Sequence, residues 1–210
     1  MSDKKQVKVL ELFAGSRSIG KIAEALEYQV FSSDLLPFDG IDYIVDILEF
    51  EEGEVPFIPD IIWASPPCTS YSIAGIKHHR KDGLAISDFA KKSDKMMIRL
   101  EQIIEYFLKF NPDLVYYIEN PRGMLRKMDF MEHYPIRHTV TYCQYGDTRM
   151  KPTDIWTNNN KWVPRKTCKN GMPCHTAAPR GSRTGTQGLK NNYERSKIPP
   201  VLCAEVLISI

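Results

Sequence analysis

Between residues 7 and 157, short apolar runs that end on a carboxylate, a proline or a polar turn alternate with segments of helical periodicity. This alternation constrains the chain more than any other feature, because apolar strands separated by helices build a doubly wound, mostly parallel sheet. The spacing predicts seven strands, at residues 7–12, 29–33, 43–45, 60–64, 114–118, 136–142 and 154–157. Ile19, Ile22, Ala23 and Leu26 predict a helix after the first strand. Met96, Met97, Leu100, Ile103, Ile104, Phe107 and Leu108 predict a long amphipathic helix, capped by Ser87 or Asp88. Residues 69–87 are polar and basic and read as a long mobile loop, and residues 201–210 read as a final helix.

With 210 residues and 42% apolar content, the chain suits one globular domain with a small appendage. No stretch is long and apolar enough to span a bilayer, so no membrane partner is expected. The polar N-terminus does not resemble a signal peptide, and five cysteines, an odd number, suit free thiols in a reducing cytoplasm. The net charge of +2 divides into +7 over residues 158–210 and −5 over residues 1–157. A basic end on an acidic body suits either a polyanion-facing surface or an ordinary solvated face. Residues 158–195, rich in Gly, Pro, Asn and Thr, read as a loop-rich insert between a body of residues 1–157 and a returning segment, 196–210.

Ligands of such sheets bind beyond the carboxyl ends of the strands, where four groups of residues fall. Phe13, Ala14, Gly15 and Ser16 make a tight turn after the first strand, and Asp34 ends the second. Turn amides and a carboxylate so placed can hold a ribose-bearing cofactor, though a plain strand–turn–helix has the same appearance. Arg17 and Ser18 stand where a dinucleotide fingerprint has glycines, which disfavours NAD. Ser65-Pro66-Pro67-Cys68 projects a cysteine from the sheet edge, either as a nucleophile or as a buried structural thiol. Glu119-Asn120-Pro121 supplies a carboxylate for a ring nitrogen, or else a capping or paired Glu. The turn through Arg149 and Lys151 supplies cations that suit a substrate carbonyl or phosphate, or belong to a solvated hairpin.

In this order and spacing, Leu12 to Gly15, Asp34, Asp46-Ile47, Pro66-Pro67-Cys68, Glu119-Asn120 and Arg149 resemble the DNA cytosine-5 methyltransferase family, in a compact form similar to those of bacteriophages and prophages. An amino-group methyltransferase would carry Asn or Asp before the two prolines and an aromatic after them, where this chain has Ser65 and Cys68. The resemblance implies a seven-stranded Rossmann-like methyltransferase sheet that binds S-adenosylmethionine and acts on double-stranded DNA in a bacterial or phage-infected cell. It implies that Cys68 is the nucleophile, that Glu119 assists at the ring nitrogen and that Arg149 holds the base carbonyl or the thiolate. The cofactor would lie on Phe13, Ala14, Gly15, Ser16, Asp34, Leu35, Asp46, Ile47 and Pro67, with Ser196 from the closing motif. Residues 158–195 occupy the place of the target-recognition region, with Arg165, Arg180, Arg183 and Gln187 as readers. Ser70, Lys77, His79, Arg80 and Lys151 would meet the nucleic acid from the loop and the cationic turn. Pro121 stands where the family usually has valine, and the closing motif lacks its usual Gly-Asn start.

Three rival readings follow from the same residues. One is a cytosine-5 methyltransferase of RNA, and one is a nucleic-acid-binding protein without activity. The third is a zinc-stabilised module built on Cys168, Cys174 and His175, whose C-x5-C-H spacing is longer than that of usual zinc knuckles. On that spacing no metal is expected.

Overall fold

The computed structural model describes residues 6–177, 189 and 191–210. In chain order, β1 (Lys8–Leu12), α1 (Ser18–Ala25), β2 (Gln29–Asp34), β3 (Tyr43–Ile44) and β4 (Ile61–Ala64) form the first half. A short helix α2 (Ile76–His79) and a two-stranded hairpin, β5 (Arg80–Lys81) and β6 (Leu84–Ala85), lead into α3 (Asp88–Phe110). Then come β7 (Val115–Pro121), β8 (Ile136–Thr141), β9 (Pro152–Thr157), α4 (Asn192–Ser196) and α5 (Pro200–Leu207). The main sheet has seven strands, the number that the sequence pattern predicts, in the order β3-β2-β1-β4-β7-β9-β8. All neighbours pair in parallel except β9, which runs antiparallel to both β7 and β8.

Strand order reverses between β1 and β4, where the chain winds outward in both directions. Sheets of this kind open a crevice at that point, beyond the carboxyl ends of the strands. The turn after β1 and the Pro-Pro-Cys turn after β4 therefore face one crevice.

Each face of the sheet buries its own core. On one, Leu10, Leu12, Ile62 and Ile118 pack against Met97, Leu100, Ile103, Ile104 and Phe107 of α3. Ser87 caps that helix by accepting from Ala90 N–H at 3.1 Å. On the other, Val9, Ile61, Tyr117 and Ile155 pack against Ile19 and Ala23 of α1 and Leu202, Cys203, Val206 and Leu207 of α5. The final segment thus returns to the sheet. Asn158 and Asn159 fasten the chain beyond β9. Asn158 accepts from Tyr116 N–H at 3.0 Å, and Asn159 donates to the Tyr117 hydroxyl at 2.7 Å.

Arg17 holds the place of a glycine by local compensation. It precedes α1 in the left-handed region, at φ 53°, which costs a non-glycine residue about 1–2 kcal/mol. Its guanidinium donates to Ser32 Oγ at 3.1 Å and pairs with Glu24. Glycines make the space: a Cβ at Gly40 would lie 2.6 Å from Arg17 Nη1, and one at Gly20 would lie 2.7 Å from Glu11 Oε2. Glu11, 2% exposed, accepts from the N–H groups of Ile19 and Gly20 at the start of α1. Burial outweighs these bonds and the charge of Arg17, and pushes the Glu11 carboxyl up to about 7.

Residues 69–87 are more ordered than a long loop. Arg80, 4% exposed, donates to Asp94 of α3 at 3.0 Å and to the Ser70 carbonyl at 3.1 Å, and lies over the Tyr71 ring. Tyr71 donates to the same Asp94 at 2.7 Å. One carboxylate on the long helix thus organises the segment.

Candidate active site

The turn after β1 takes its shape from two left-handed residues, Phe13 at φ 54° and Gly15 at φ 49°. Gly15 N–H donates to Asp34 Oδ2 and Leu36 N–H to Asp34 Oδ1, both at 2.9 Å. Asp34 therefore ties the turns after β1 and β2 together at the crevice, with Leu35 beside it and 54% exposed. Asp46 accepts from Leu48 N–H at 3.2 Å and from Lys92 at 2.6 Å. Burial raises its carboxyl, but the Lys92 ammonium and the Leu48 N–H prevail and hold it below its ordinary value. Ile47 is buried beneath this turn.

After β4 the two prolines carry the chain to Cys68, which opens a 3-10 turn over Thr69–Tyr71. Two bonds fix this corner: Trp63 Nε1 donates to Ser65 Oγ at 2.9 Å, and Asn120 Nδ2 donates to the Pro66 carbonyl at 3.0 Å. The second joins the Pro-Pro-Cys turn to the Glu-Asn pair across the β4–β7 boundary. Glu119, 5% exposed, accepts from the Tyr142 hydroxyl at 2.9 Å, and Lys151 Nζ stands 3.9 Å from the same oxygen. Lys151 also lies 4.6 Å from the centre of the Tyr142 ring.

The electrostatics are those of a buried, partly balanced cluster. Burial pushes the Cys68 thiol up, and the Glu119 carboxylate adds to the rise, while Lys151 and Arg195 oppose it. Burial pushes the Lys151 ammonium down, against the pull of Glu119 and Cys68. A thiol, a carboxylate, an ammonium and a phenol so arranged can form a nucleophile and direct a proton or hydrogen bond to a substrate atom.

No family model matches the chain. A probable DNA (cytosine-5)-methyltransferase of Frog virus 3 (isolate Goorha) is 27% identical over 222 aligned positions, which span 96% of this chain and 99% of that one. By sequence, the chain resembles the DNA (cytosine-5)-methyltransferase family over nearly its whole length. Its fold agrees. A methyltransferase of Entamoeba histolytica matches with a TM-score of 0.55 at 12% identity, over 79% of this chain and 58% of that one. DNMT2 of Spodoptera frugiperda matches with a TM-score of 0.50 at 16% identity, over 80% of this chain and 57% of that one. The chain thus spans less than two thirds of either solved protein, and the likeness is one of fold.

Within this cytosine-5 methyltransferase-like frame, several side chains sit otherwise than the sequence suggests. Arg149 is engaged by Asp147 and by the carbonyls of Glu194, Arg195 and Lys197, so it braces the turn after β8 to the closing segment. Lys151 is the cation beside Glu119, with its side chain 9% exposed. Ser70 is fully buried and Arg80 is paired with Asp94, so neither presents its side chain to a nucleic acid. Arg165 pairs with Glu205 at 3.0 Å, donates to the Gln144 carbonyl at 2.8 Å and lies over the Tyr145 ring. Ser196 is exposed, and its hydroxyl donates to the Tyr193 carbonyl at 2.8 Å. Lys77 is exposed on α2, while His79 is half-buried, with Nδ1 2.9 Å from Ser87 Oγ. Arg180, Arg183 and Gln187 lie outside the described residues.

Two side chains of the candidate site escape the sequence reading. Asn120 has a signal, its place beside Glu119, but its bond to Pro66 shows only in three dimensions. Tyr142 has none, because its phenol meets Glu119 only through the pairing of β8 and β9 next to β7.

Proposed function

We propose that the chain transfers a methyl group from S-adenosylmethionine to carbon 5 of cytosine in double-stranded DNA, with Cys68 as the nucleophile. The observation that carries this reading is the mutual locking of the Cys68 turn and Glu119 through the 3.0 Å Asn120–Pro66 bond. The viral relative, named for DNA, favours DNA over RNA.

The crevice residues suit the cofactor. Each Asp34 oxygen accepts one backbone N–H and keeps a lone pair for a ribose hydroxyl. Exposed Leu35 offers an apolar edge to the adenine, Asp46 an acceptor for its amino group, and Phe13 to Ser16 the enclosing turn. When bound, the cofactor supplies an electrophilic methyl group on a sulfonium.

Carbon 5 of cytosine is too weak a nucleophile to take that methyl unaided. Cys68, as thiolate, adds to carbon 6, and the ring becomes electron-rich at carbon 5. Glu119 supplies a proton or hydrogen bond at N3, where charge builds up during the addition. Lys151 favours the ionised thiol, and Tyr142 aims the carboxylate. After transfer, carbon 5 loses its proton and Cys68 is eliminated. A stacked base cannot reach Cys68, so the cytosine leaves the duplex. Exposed Lys77, His78 and Lys81 stand where the segment would meet phosphates. Residues 158–195 form the short recognition insert of this reading.

Labelled methyl transfer tests it. Duplex DNA should accept methyl and structured RNA should not, and Cys68→Ala should lose turnover while still binding the cofactor. Methylation of RNA alone, or full activity of Cys68→Ala, would overturn it.

A further inference from the structure

The C-x5-C-H cluster acquires a fourth member in the folded chain. Cys143 follows β8, while Cys168, Cys174 and His175 lie on the loop beyond β9, and all four ligand atoms fall within 4.8 Å of one another. Cys168 Sγ lies 3.2 Å from Cys174 Sγ and 3.4 Å from His175 Nδ1. Cys174 Sγ lies 3.7 Å from both Cys143 Sγ and His175 Nδ1.

Zinc held tetrahedrally, with sulfur at ~2.3 Å and nitrogen at ~2.0–2.1 Å, requires S–S edges of ~3.8 Å and S–N edges of ~3.5 Å. The four edges above lie within about 0.6 Å of that figure. A disulfide needs sulfurs at ~2.05 Å and uses two cysteines only, so it accounts neither for Cys143 nor for the aimed imidazole. Sulfur and imidazole donors select zinc over hard cations such as magnesium or calcium.

We infer that Cys143, Cys168, Cys174 and His175 form a structural zinc site. Four protein donors leave no open position, so the ion has a fastening role and no catalytic one. Three thiolates and a neutral imidazole around a dication leave one net negative charge. Gln144 Nε2 donates to Cys174 Sγ at 3.3 Å, and Lys166, Arg165 and Lys169 lie on the same stretch of chain. The surrounding backbone is already pinned: Cys168 N–H donates to Thr141 Oγ1 at 2.8 Å, and Thr176 N–H to the Thr148 carbonyl at 2.9 Å. These bonds bring the loop to the sheet in the position that the ion would lock. The site lies at the root of the basic insert and joins it to the turn that carries Tyr142. This inference does not rest on the proposed methyl transfer.

The reduced full-length chain, freed of metal and titrated with zinc against a chromophoric chelator, should take up one ion per chain. Cobalt in its place should give the intense visible bands of a tetrahedral thiolate complex. Cys174→Ser, at an exposed position, should weaken zinc retention at least a hundredfold, and Cys203→Ser, outside the cluster, should not change it. Absence of stoichiometric zinc and of the cobalt bands in the folded wild-type chain would overturn the assignment. So would a Cys168–Cys174 disulfide in the mass spectrum of freshly isolated protein.

Discussion

At Glu119 the Tyr142 hydroxyl, in a fully buried side chain, donates to a carboxylate oxygen at 2.9 Å. Hydrogen bonds to charged groups are worth about 1.5–3 kcal/mol, so Tyr142→Phe should slow turnover roughly tenfold to a hundredfold. Because Tyr142 acts through Glu119, the variant should also displace the pH profile of kcat while leaving cofactor affinity unchanged. An unaltered profile at full rate would deny it this positioning role. The places of Cys68 and Glu119 are legible because each follows an apolar run, 60–64 and 114–118, and strand ends face the crevice whatever the tertiary detail. The cations were not. Arg149 and Lys151 are two residues apart on one turn, yet only Lys151 meets Glu119, because Arg149 is taken by Asp147 and by carbonyls some 45 residues along the chain.

At the scale of elements, apolar periodicity located the seven strands, and Ser87 was readable as the cap of α3. The segment between Cys68 and that helix reads in sequence as a long loop, since the two-residue strands β5 and β6 are too short to show alternation. The bonds that order it centre on one ion pair, with Arg80 1% and Asp94 23% exposed at the side chain. Breaking a fully buried pair costs about 3–5 kcal/mol. Asp94 keeps some solvent, so Asp94→Ala should cost about 2–3 kcal/mol, concentrated locally. Hydrogen exchange should show the amides of residues 69–87 losing protection well before those of β1 and β4. Uniform loss across the protein would mean that the segment is not held separately by this contact.

Across the whole molecule, the division of charge was visible in composition, but the buried carboxyl at the sheet centre was not. Glu11 reads as one polar residue in an apolar strand, and only the packing of α1 shows that it receives two helix N–H groups. Its carboxyl rises from about 4.5 to about 7 on folding. The stability that the neutral group contributes is complete below pH 4.5, where both states are protonated, and is lost as pH rises through 7. The loss is on the order of 3 kcal/mol. Urea unfolding between pH 5 and 8 should therefore show wild type declining relative to Glu11→Gln. Parallel profiles would place the Glu11 carboxyl at its ordinary value. No described helix is long and apolar enough to cross a membrane.

In the proposed function Cys68 bonds covalently to a cytosine while Glu119 assists. A DNA duplex carrying 5-fluorocytosine tests it most directly, because fluorine replaces the carbon-5 proton whose loss permits elimination. In the presence of S-adenosylmethionine the wild-type chain should form a stable adduct, with the mass of protein, oligonucleotide and one methyl group. Peptide mapping should place that bond on Cys68, and Cys68→Ala should form none. An adduct on another cysteine, or none from an active wild-type enzyme, would rule out Cys68 as the nucleophile.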